Sequence, residues 1–276
     1  MIISASRRTD IPALYGDWFM ERINEGFVKT VNPFNKRVKR VPLDTDSVDF
    51  IVFWSKNFIP FTHHLSSLRE RGYKFYLNYT VNCYPHDIEN LRDNHQSIID
   101  NVISLSEHYR VLWRYDPVFL TDQLTRETHA ASFTRLCRAF AGRIERVVIN
   151  PISPYRKTQM KTGFTDNDMD IEKIRPLIME LADIAIAHNL TVTGCADSIN
   201  GIGGLPQSHC IDKQLIESII GRTLKIKVNG FYPGCGCYES TDIGIYGTCA
   251  HDCIYCYANN SKLKSYLPLD KIYDTL

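Results

Sequence analysis

Short apolar runs rich in Ile, Val, Phe and Tyr alternate along the chain with longer stretches in which apolar residues recur every three or four positions. The first pattern is that of buried parallel strands, the second that of amphipathic helices. Six runs predict strands, at Ile2 to Ser6, Phe50 to Trp54, Lys74 to Thr80, Arg110 to Arg114, Arg146 to Asn150 and Leu190 to Gly194. Between them, Trp18, Ile23 and Phe27 share one helical face and Ile98, Val102 and Leu105 a second. Phe133, Leu136 and Phe140 form a third, and Leu177, Leu181 and Ile184 a fourth. Strand spacings of about 25 to 45 residues suit strand-plus-helix repeats. No Gly-x-Gly-x-x-Gly follows the first strand to mark a doubly wound dinucleotide fold. The expected fold is α/β, a full or six-unit partial β/α barrel over residues 1–222. After about Ile220 the alternation fades, and residues 223–276, rich in Gly, Cys and Tyr, read as a metal-binding extension packed on the barrel mouth.

Barrel enzymes gather their chemistry at the C-terminal ends of the strands. Here those ends are Ser6-Arg7-Arg8-Thr9-Asp10, Trp54-Ser55-Lys56-Asn57, Tyr79-Thr80, Arg114-Tyr115-Asp116-Pro117, Asn150-Pro151-Ile152-Ser153 and Cys195-Ala196-Asp197. Arg7, Arg8 and Lys56 offer cationic donors for a carboxylate or phosphate. Pairing with Asp10, Asp116 and Asp197 in a solvated ion network accounts for them equally well. Trp54, Tyr79, Tyr115 and Tyr155 can stack on a flat ligand, or pack in the core with the polar tip in water. Loop starts are polar in any fold and often cap the next helix, but charged and amide side chains converging from several strands weigh toward a site.

Composition narrows the function classes by exclusion. The 276 residues carry 32 basic and 31 acidic side chains, a formal charge of +1, which gives no global pull toward nucleic acid. Arg7 and Arg8 interrupt the short apolar start, unlike a secretory signal, and no stretch reaches the roughly 20 apolar residues of a membrane span. A cytoplasmic location without membrane contact is expected, where nine cysteines are thiols or metal ligands rather than disulfides. No Gly-x-Ser-x-Gly elbow, His-Glu-x-x-His pair or phosphate-binding P-loop supports the ordinary hydrolase and kinase classes.

Cys249, Cys253 and Cys256 form Cys-x-x-x-Cys-x-x-Cys, with Tyr255 directly before the last cysteine. Three thiolates so close in sequence can hold three corners of a 4Fe-4S cube and leave the fourth iron open to another ligand. The spacing and the aromatic residue resemble the radical S-adenosylmethionine (SAM) superfamily. That resemblance implies SAM chelated at the open iron, Tyr255 near its adenine, and reductive cleavage to methionine and a 5'-deoxyadenosyl radical that takes hydrogen from substrate. It also implies a small-molecule substrate, unidentified, an electron donor such as a flavodoxin or ferredoxin, and a full or partial β/α barrel. Arg7, Arg8, Lys56, Arg114 and Asp116 become candidate catalytic contacts, and Asn57 and Asn150 candidate cofactor contacts. Two features depart from that pattern: the motif normally follows the first barrel strand, and no Gly-Gly-Glu follows the second strand here.

The chain also resembles, over nearly its full length, an uncharacterised bacterial family catalogued as a domain of unknown function with a radical-SAM-like cysteine cluster at its C-terminus. The matching pieces are Ser4 to Ala13, Phe53 to Asn57, Trp113 to Pro117, Cys210 to Asp212, Cys235 to Cys237, Asp242 to Tyr246 and Cys253 to Ala258. Four further cysteines, Cys195, Cys210, Cys235 and Cys237, are enough to fill a second cluster or a tetrahedral zinc site, structural or electron-transferring. Alternatively Cys195 and Cys210 are small buried hydrophobes, and Cys235 or Cys237 completes a single zinc site. Cys83 and Cys137 read as packing residues, and His251 as a loop residue that can also tune a cluster sulfur. An iron-sulfur electron-transfer or sensing protein, or a barrel with a structural zinc tail, are the competing functions.

Overall fold

The structure, a computed structural model, describes residues 1–258 except 34, 36, 154–158, 160, 161, 163, 166–168, 196–204 and 231–233. The strands are β1 (Ile2–Ala5), β2 (Phe27–Val31), β3 (Val38–Pro42), β4 (Phe50–Ser55), β5 (Phe75–Thr80), β6 (Val111–Val118), β7 (Arg146–Pro151), β8 (Thr191–Cys195), β9 (Gln207–Ser208) and β10 (Thr241–Asp242). All six strands read from the apolar runs are present. Eight strands form one parallel sheet in the order β10-β1-β4-β5-β6-β7-β8-β9, and β2 pairs with β3 in a separate antiparallel hairpin. From β1 to β8 the sheet strands lie in chain order, without the reversal of a doubly wound sheet. Among the described residues nothing pairs β9 with β10, so the sheet is open and no closed barrel forms. Both edge strands are only two residues long, too short to carry a closing ladder.

The helices are α1 (Ile11–Leu14), α2 (Gly16–Glu25), α3 (Thr62–Glu70), α4 (His95–Ser106), α5 (Arg126–Phe140), α6 (Ile171–Ala187) and α7 (Lys213–Ile220). Local chemistry sets their ends: Asn94, Thr125, Asp170 and Asp212 each accept a hydrogen bond from a first-turn amide of the helix that follows. Trp18 and Ile23 are buried on α2 as expected, but Phe27 is not helical. Gly26, at φ 75°, ends α2 in a left-handed cap and sends the chain into β2.

Because side chains alternate across a strand, each sheet face has its own core. Ile3, Ile51, Phe53, Leu77, Trp113 and Val147 pack in the main core with the helices. Ile2, Phe50, Val52, Tyr76 and Leu112 point the other way and pack with Cys195, Cys210, Ile211, Ile216, Leu224, Cys235 and Cys237. Leu224, Cys235 and Cys237 therefore share this core, and Thr241 and Asp242 of β10 share the sheet itself. No described helix is long and apolar enough to cross a membrane.

Candidate metal centre

Along the second face, the side-chain period of two carries several strands from buried residues at their start to polar or thiol side chains at their end. Ile2 gives way to Ser4 and Ser6, Tyr76 to Asn78 and Thr80, Leu112 to Arg114 and Asp116, Val148 to Asn150, and Thr193 to Cys195. A cavity of about 510 Å³ opens at these ends, within the range typical of small-molecule sites. Cys249, Cys253 and Cys256 line it, and so do Cys195, Cys210, Cys235 and Cys237. Arg7, Arg8, Lys56, Arg114, Asp116, Asn150, Tyr255 and Trp54 line the same space.

The first three cysteines sit on the loop that leaves β10. Burial pushes the Cys249 thiol up to about 12 and the Cys253 thiol well above its ordinary range, with the nearby Asp10 carboxylate adding to the effect at Cys249. Thiols so held ionise at neutral pH when a bound cation compensates the charge, so the donor set suits a metal centre. Beside them, Lys56 Nζ donates to Glu89 Oε1 at 2.8 Å, and Asn82 Nδ2 donates to the same oxygen at 2.8 Å. The Tyr255 hydroxyl also donates to Glu89, and the Lys56 ammonium lies 5.4 Å from the Tyr255 ring centroid. Burial works against the charge on both Lys56 and Glu89, yet their mutual attraction, helped by the Cys253 and Asp116 charges at the lysine and by hydrogen bonds from Tyr255 and Asn82 at the carboxyl, outweighs it, raising the lysine pKa and lowering that of the carboxyl. His251 is no ordinary loop residue: it is 3% exposed, and its Nε2 donates to Asp10 Oδ2 at 2.9 Å. Asp10 also accepts from the backbone amides of Ala13 at 3.0 Å and Lys56 at 2.9 Å, joining the β1 loop, the β4 loop and the cysteine loop at one carboxylate.

The other four cysteines collect on the opposite side of the sheet order. Cys195 Sγ and Cys210 Sγ are 3.7 Å apart, and the Cys210 amide donates to Cys237 Sγ at 3.2 Å. Asn150 Oδ1 accepts from the Cys195 amide at 2.7 Å, and the Tyr76 hydroxyl donates to the Cys210 carbonyl at 2.6 Å. Arg114 Nη1 donates to Cys210 Sγ at 3.0 Å, while Nη2 pairs with Asp116. Hydrogen bonding from Cys195 and Cys237, together with the Arg114 charge, holds the Cys210 thiol well below its usual range. The Cys195 thiol is pushed up, chiefly through its hydrogen bond to Cys210.

Arg7 and Arg8 both approach Asp242 on β10, at 3.7 and 3.9 Å. Asp242 further accepts from Ser4 Oγ at 2.9 Å, Ser6 Oγ at 2.6 Å, and the amides of Arg7 and Gly244 at 3.0 Å each. This carboxylate ties the end of β1 to the start of the cysteine loop.

A family described as a domain of unknown function, DUF1848, matches residues 2–258. The chain belongs to the DUF1848 family. No curated protein matches it. For this DUF1848 chain the structure gathers almost every side chain singled out from sequence, with a few exceptions. Asn57 does not line the cavity: its Nδ2 donates to Asp93 at 2.6 Å and its Oδ1 caps Ile59. Tyr79 and Tyr115 lie in the main core with their hydroxyls bonded to Asn101 and His129, not in water. Cys137 is fully buried there and Cys83 packs against it, as packing residues should. Tyr155, Ala196 and Asp197 lie outside the described residues. Glu89, Asn82 and Asp242 are the residues that sequence reading misses. Glu89 stands in a polar loop whose partner Lys56 is 33 residues away, and Asp242 is 236 residues from Ser6. The conspicuous Asp242-Ile243-Gly244 run was the one available signal.

Proposed function

We propose that this protein is an iron-sulfur enzyme of the radical SAM type acting on a small-molecule substrate, with its open, chain-ordered sheet serving as a partial β/α barrel. One observation carries the reading: seven cysteines in two groups line a single cavity at the C-terminal ends of the parallel strands. The position of the motif supports it. In the superfamily that the motif resembles, the cluster loop follows the first barrel strand, and here it follows β10, which lies parallel beside β1 at the head of the sheet order. The C-terminal placement in sequence is then a first-strand placement in space. Arg7 and Arg8, at the end of β1, stand where the next strand of such a barrel ends.

Cys249, Cys253 and Cys256 would hold a 4Fe-4S cluster with one iron open, which when bound with SAM supplies one-electron cleavage of that cofactor. The chain's own part is enclosure and orientation. Tyr255, braced by Glu89 and Lys56, gives a flat wall beside the triad. Thr9 Oγ1 and Trp54 Nε1 are buried polar atoms on cavity-lining residues, without a hydrogen-bond partner among the described residues, as expected of groups that meet a ligand. Arg7 and Arg8 line the cavity beside Asp242 and offer cationic donors to a ligand anion. Cys195, Cys210, Cys235 and Cys237 would hold a second cluster.

The 3.7 Å separation of Cys195 and Cys210 favours a second reading for that group, since Zn-S bonds of about 2.3 Å place tetrahedral sulfurs about 3.8 Å apart. A single ion needs every sulfur pair at that spacing. Among the described residues, however, the one set of three metal-competent side chains within 4.8 Å of one another is Asp17, His63 and His64, on the surface.

Iron, zinc and acid-labile sulfide in anaerobically purified protein decide between these readings. About eight iron per chain, falling to about four in Cys253→Ala and in Cys237→Ala, is expected for two separable cubane sites. Dithionite and SAM should then yield 5'-deoxyadenosine, with none from Cys253→Ala. Zinc without sulfide, or no product from fully loaded protein, overturns the radical reading.

A further inference from the structure

The radical SAM resemblance makes Arg114 a candidate catalytic contact. Its surroundings commit it elsewhere. The residue is 5% exposed, and its guanidinium lies 5.6 Å from the Trp54 ring centroid. One terminal nitrogen donates to Cys210 Sγ at 3.0 Å and the other is taken by Asp116. The sulfur it touches is fixed from below, because the Cys210 carbonyl is held by Tyr76 at 2.6 Å and by Asn78 Nδ2 at 3.4 Å. A second donor, the Cys210 amide, reaches Cys237 Sγ at 3.2 Å.

We infer that Arg114 is a positioning residue that acts through Cys210 to raise the reduction potential of a cluster held by Cys195, Cys210, Cys235 and Cys237. The inference rests on the proposed second cluster. Reducing a cluster adds one negative charge to the metal-sulfur unit, and a fixed cation with a hydrogen bond at a ligand sulfur stabilises that charged form. Asp116 opposes this effect by neutralising the same guanidinium. The two residues therefore set the potential in opposite directions: loss of Arg114 lowers it and loss of the Asp116 charge raises it. A merely structural role for the pair predicts no such opposition.

The test is a redox titration followed by electron paramagnetic resonance on anaerobically reconstituted full-length protein. A Cys253→Ala background leaves only the second group's signal. Arg114→Gln should lower the midpoint by at least about 59 mV, a tenfold change in a one-electron equilibrium constant. Arg114→Lys, which keeps the charge but not the forked geometry, should lower it less, and Asp116→Asn should raise it. Unchanged midpoints in Arg114→Gln and Asp116→Asn, with iron and sulfide retained, overturn the inference. If Arg114→Gln loses its iron, Asp116→Asn decides alone: a raised midpoint supports the inference and an unmoved one overturns it. Absence of iron and sulfide from Cys253→Ala protein removes the second cluster itself, and that failure is read from metal analysis before any potential is measured.

Discussion

The imidazole of His129, 1% exposed, is wedged between the Tyr115 hydroxyl at Nδ1 and the Phe119 carbonyl at Nε2, each 2.8 Å away. A carbonyl only accepts, so Nε2 carries the proton and Nδ1 accepts from Tyr115. Protonating Nδ1 would forfeit the bond from Tyr115 and place a charge in a buried site, and burial accordingly holds this histidine below its ordinary value of 6.5. The unfolded chain then takes up the proton first as pH falls. Stability from this site is complete above about pH 6.5 and declines as pH drops from there toward the folded value. Urea unfolding at about pH 8 and about pH 5.5 should show a larger loss in the wild type than in His129→Gln; equal losses would count against a buried neutral histidine. Lys56 and Glu89 pose the opposite case, two buried charges that require each other. Glu89→Gln should cost about 3–5 kcal/mol because it strands the ammonium, whereas Lys56→Met with Glu89→Leu should cost much less. Neither effect was readable from sequence. His129 stands on the apolar side of a helix like any packing residue, and the Lys56 partner becomes visible only when β4 and the loop after β5 meet.

At the scale of elements, what could be read was what is encoded locally. The runs Phe50-Ile51-Val52-Phe53 and Val147-Val148-Ile149 announce strands buried on both faces, and the stripes of Ile98, Val102 and Leu105 and of Phe133, Leu136 and Phe140 announce α4 and α5. The β2-β3 hairpin was hidden because Phe27 continues the α2 stripe in register, and only the handedness of Gly26 breaks it. β10 was hidden more completely. Two residues, Thr241 and Asp242, carry no periodicity, and their pairing with Ile3 and Ser4 is a long-range event. Its specificity lies in side chains: Asp242 collects donors from Ser4, Ser6, Arg7 and Gly244. The approach is so close that a β-carbon on Gly244 would stand 2.0 Å from Ser6 Oγ. Ser6 cannot swing aside without giving up Asp242 and the Arg8 amide, which donates to it at 2.9 Å. Gly244→Ala is therefore expected to cost about 1–3 kcal/mol by overpacking and to weaken the β10-β1 junction. Under the proposed metal reading, it should reduce iron at the Cys249 group while sparing that of the Cys195 group. Chemical denaturation together with iron analysis in Cys237→Ala and Cys253→Ala backgrounds checks both halves.

For the molecule as a whole, the consequence is a sheet whose spatial order begins with the last described strand of the chain. β10 is held against its neighbour β1 by backbone pairing and by the Asp242 carboxylate. The segment that leads into it is only partly tied down: Glu239 is solvent-exposed although its amide donates to the Lys227 carbonyl at 2.9 Å, Ser240 is half-buried, and Val228 and Tyr238 form an isolated bridge. A chain reopened between Glu239 and Ser240, with residue 276 joined to Met1 through a flexible linker, should therefore rebuild the same sheet. Parallel neighbours need a crossover of about a dozen residues or more, so a Gly-Ser linker of about 20 residues leaves slack. In this permuted protein the cysteine loop precedes β1 in sequence, as it does in the sheet. A cooperative unfolding transition, a far-ultraviolet circular dichroism spectrum matching the parent, and the parent's iron and sulfide content are the expected outcomes. A permuted chain that folds but binds no more iron than a Cys253→Ala variant would mean that the path from Tyr238 into β10 helps build the cysteine site. A chain that fails to fold would mean that β10 is held by its sequence neighbours after all, and that its resemblance to a first barrel strand is one of position only.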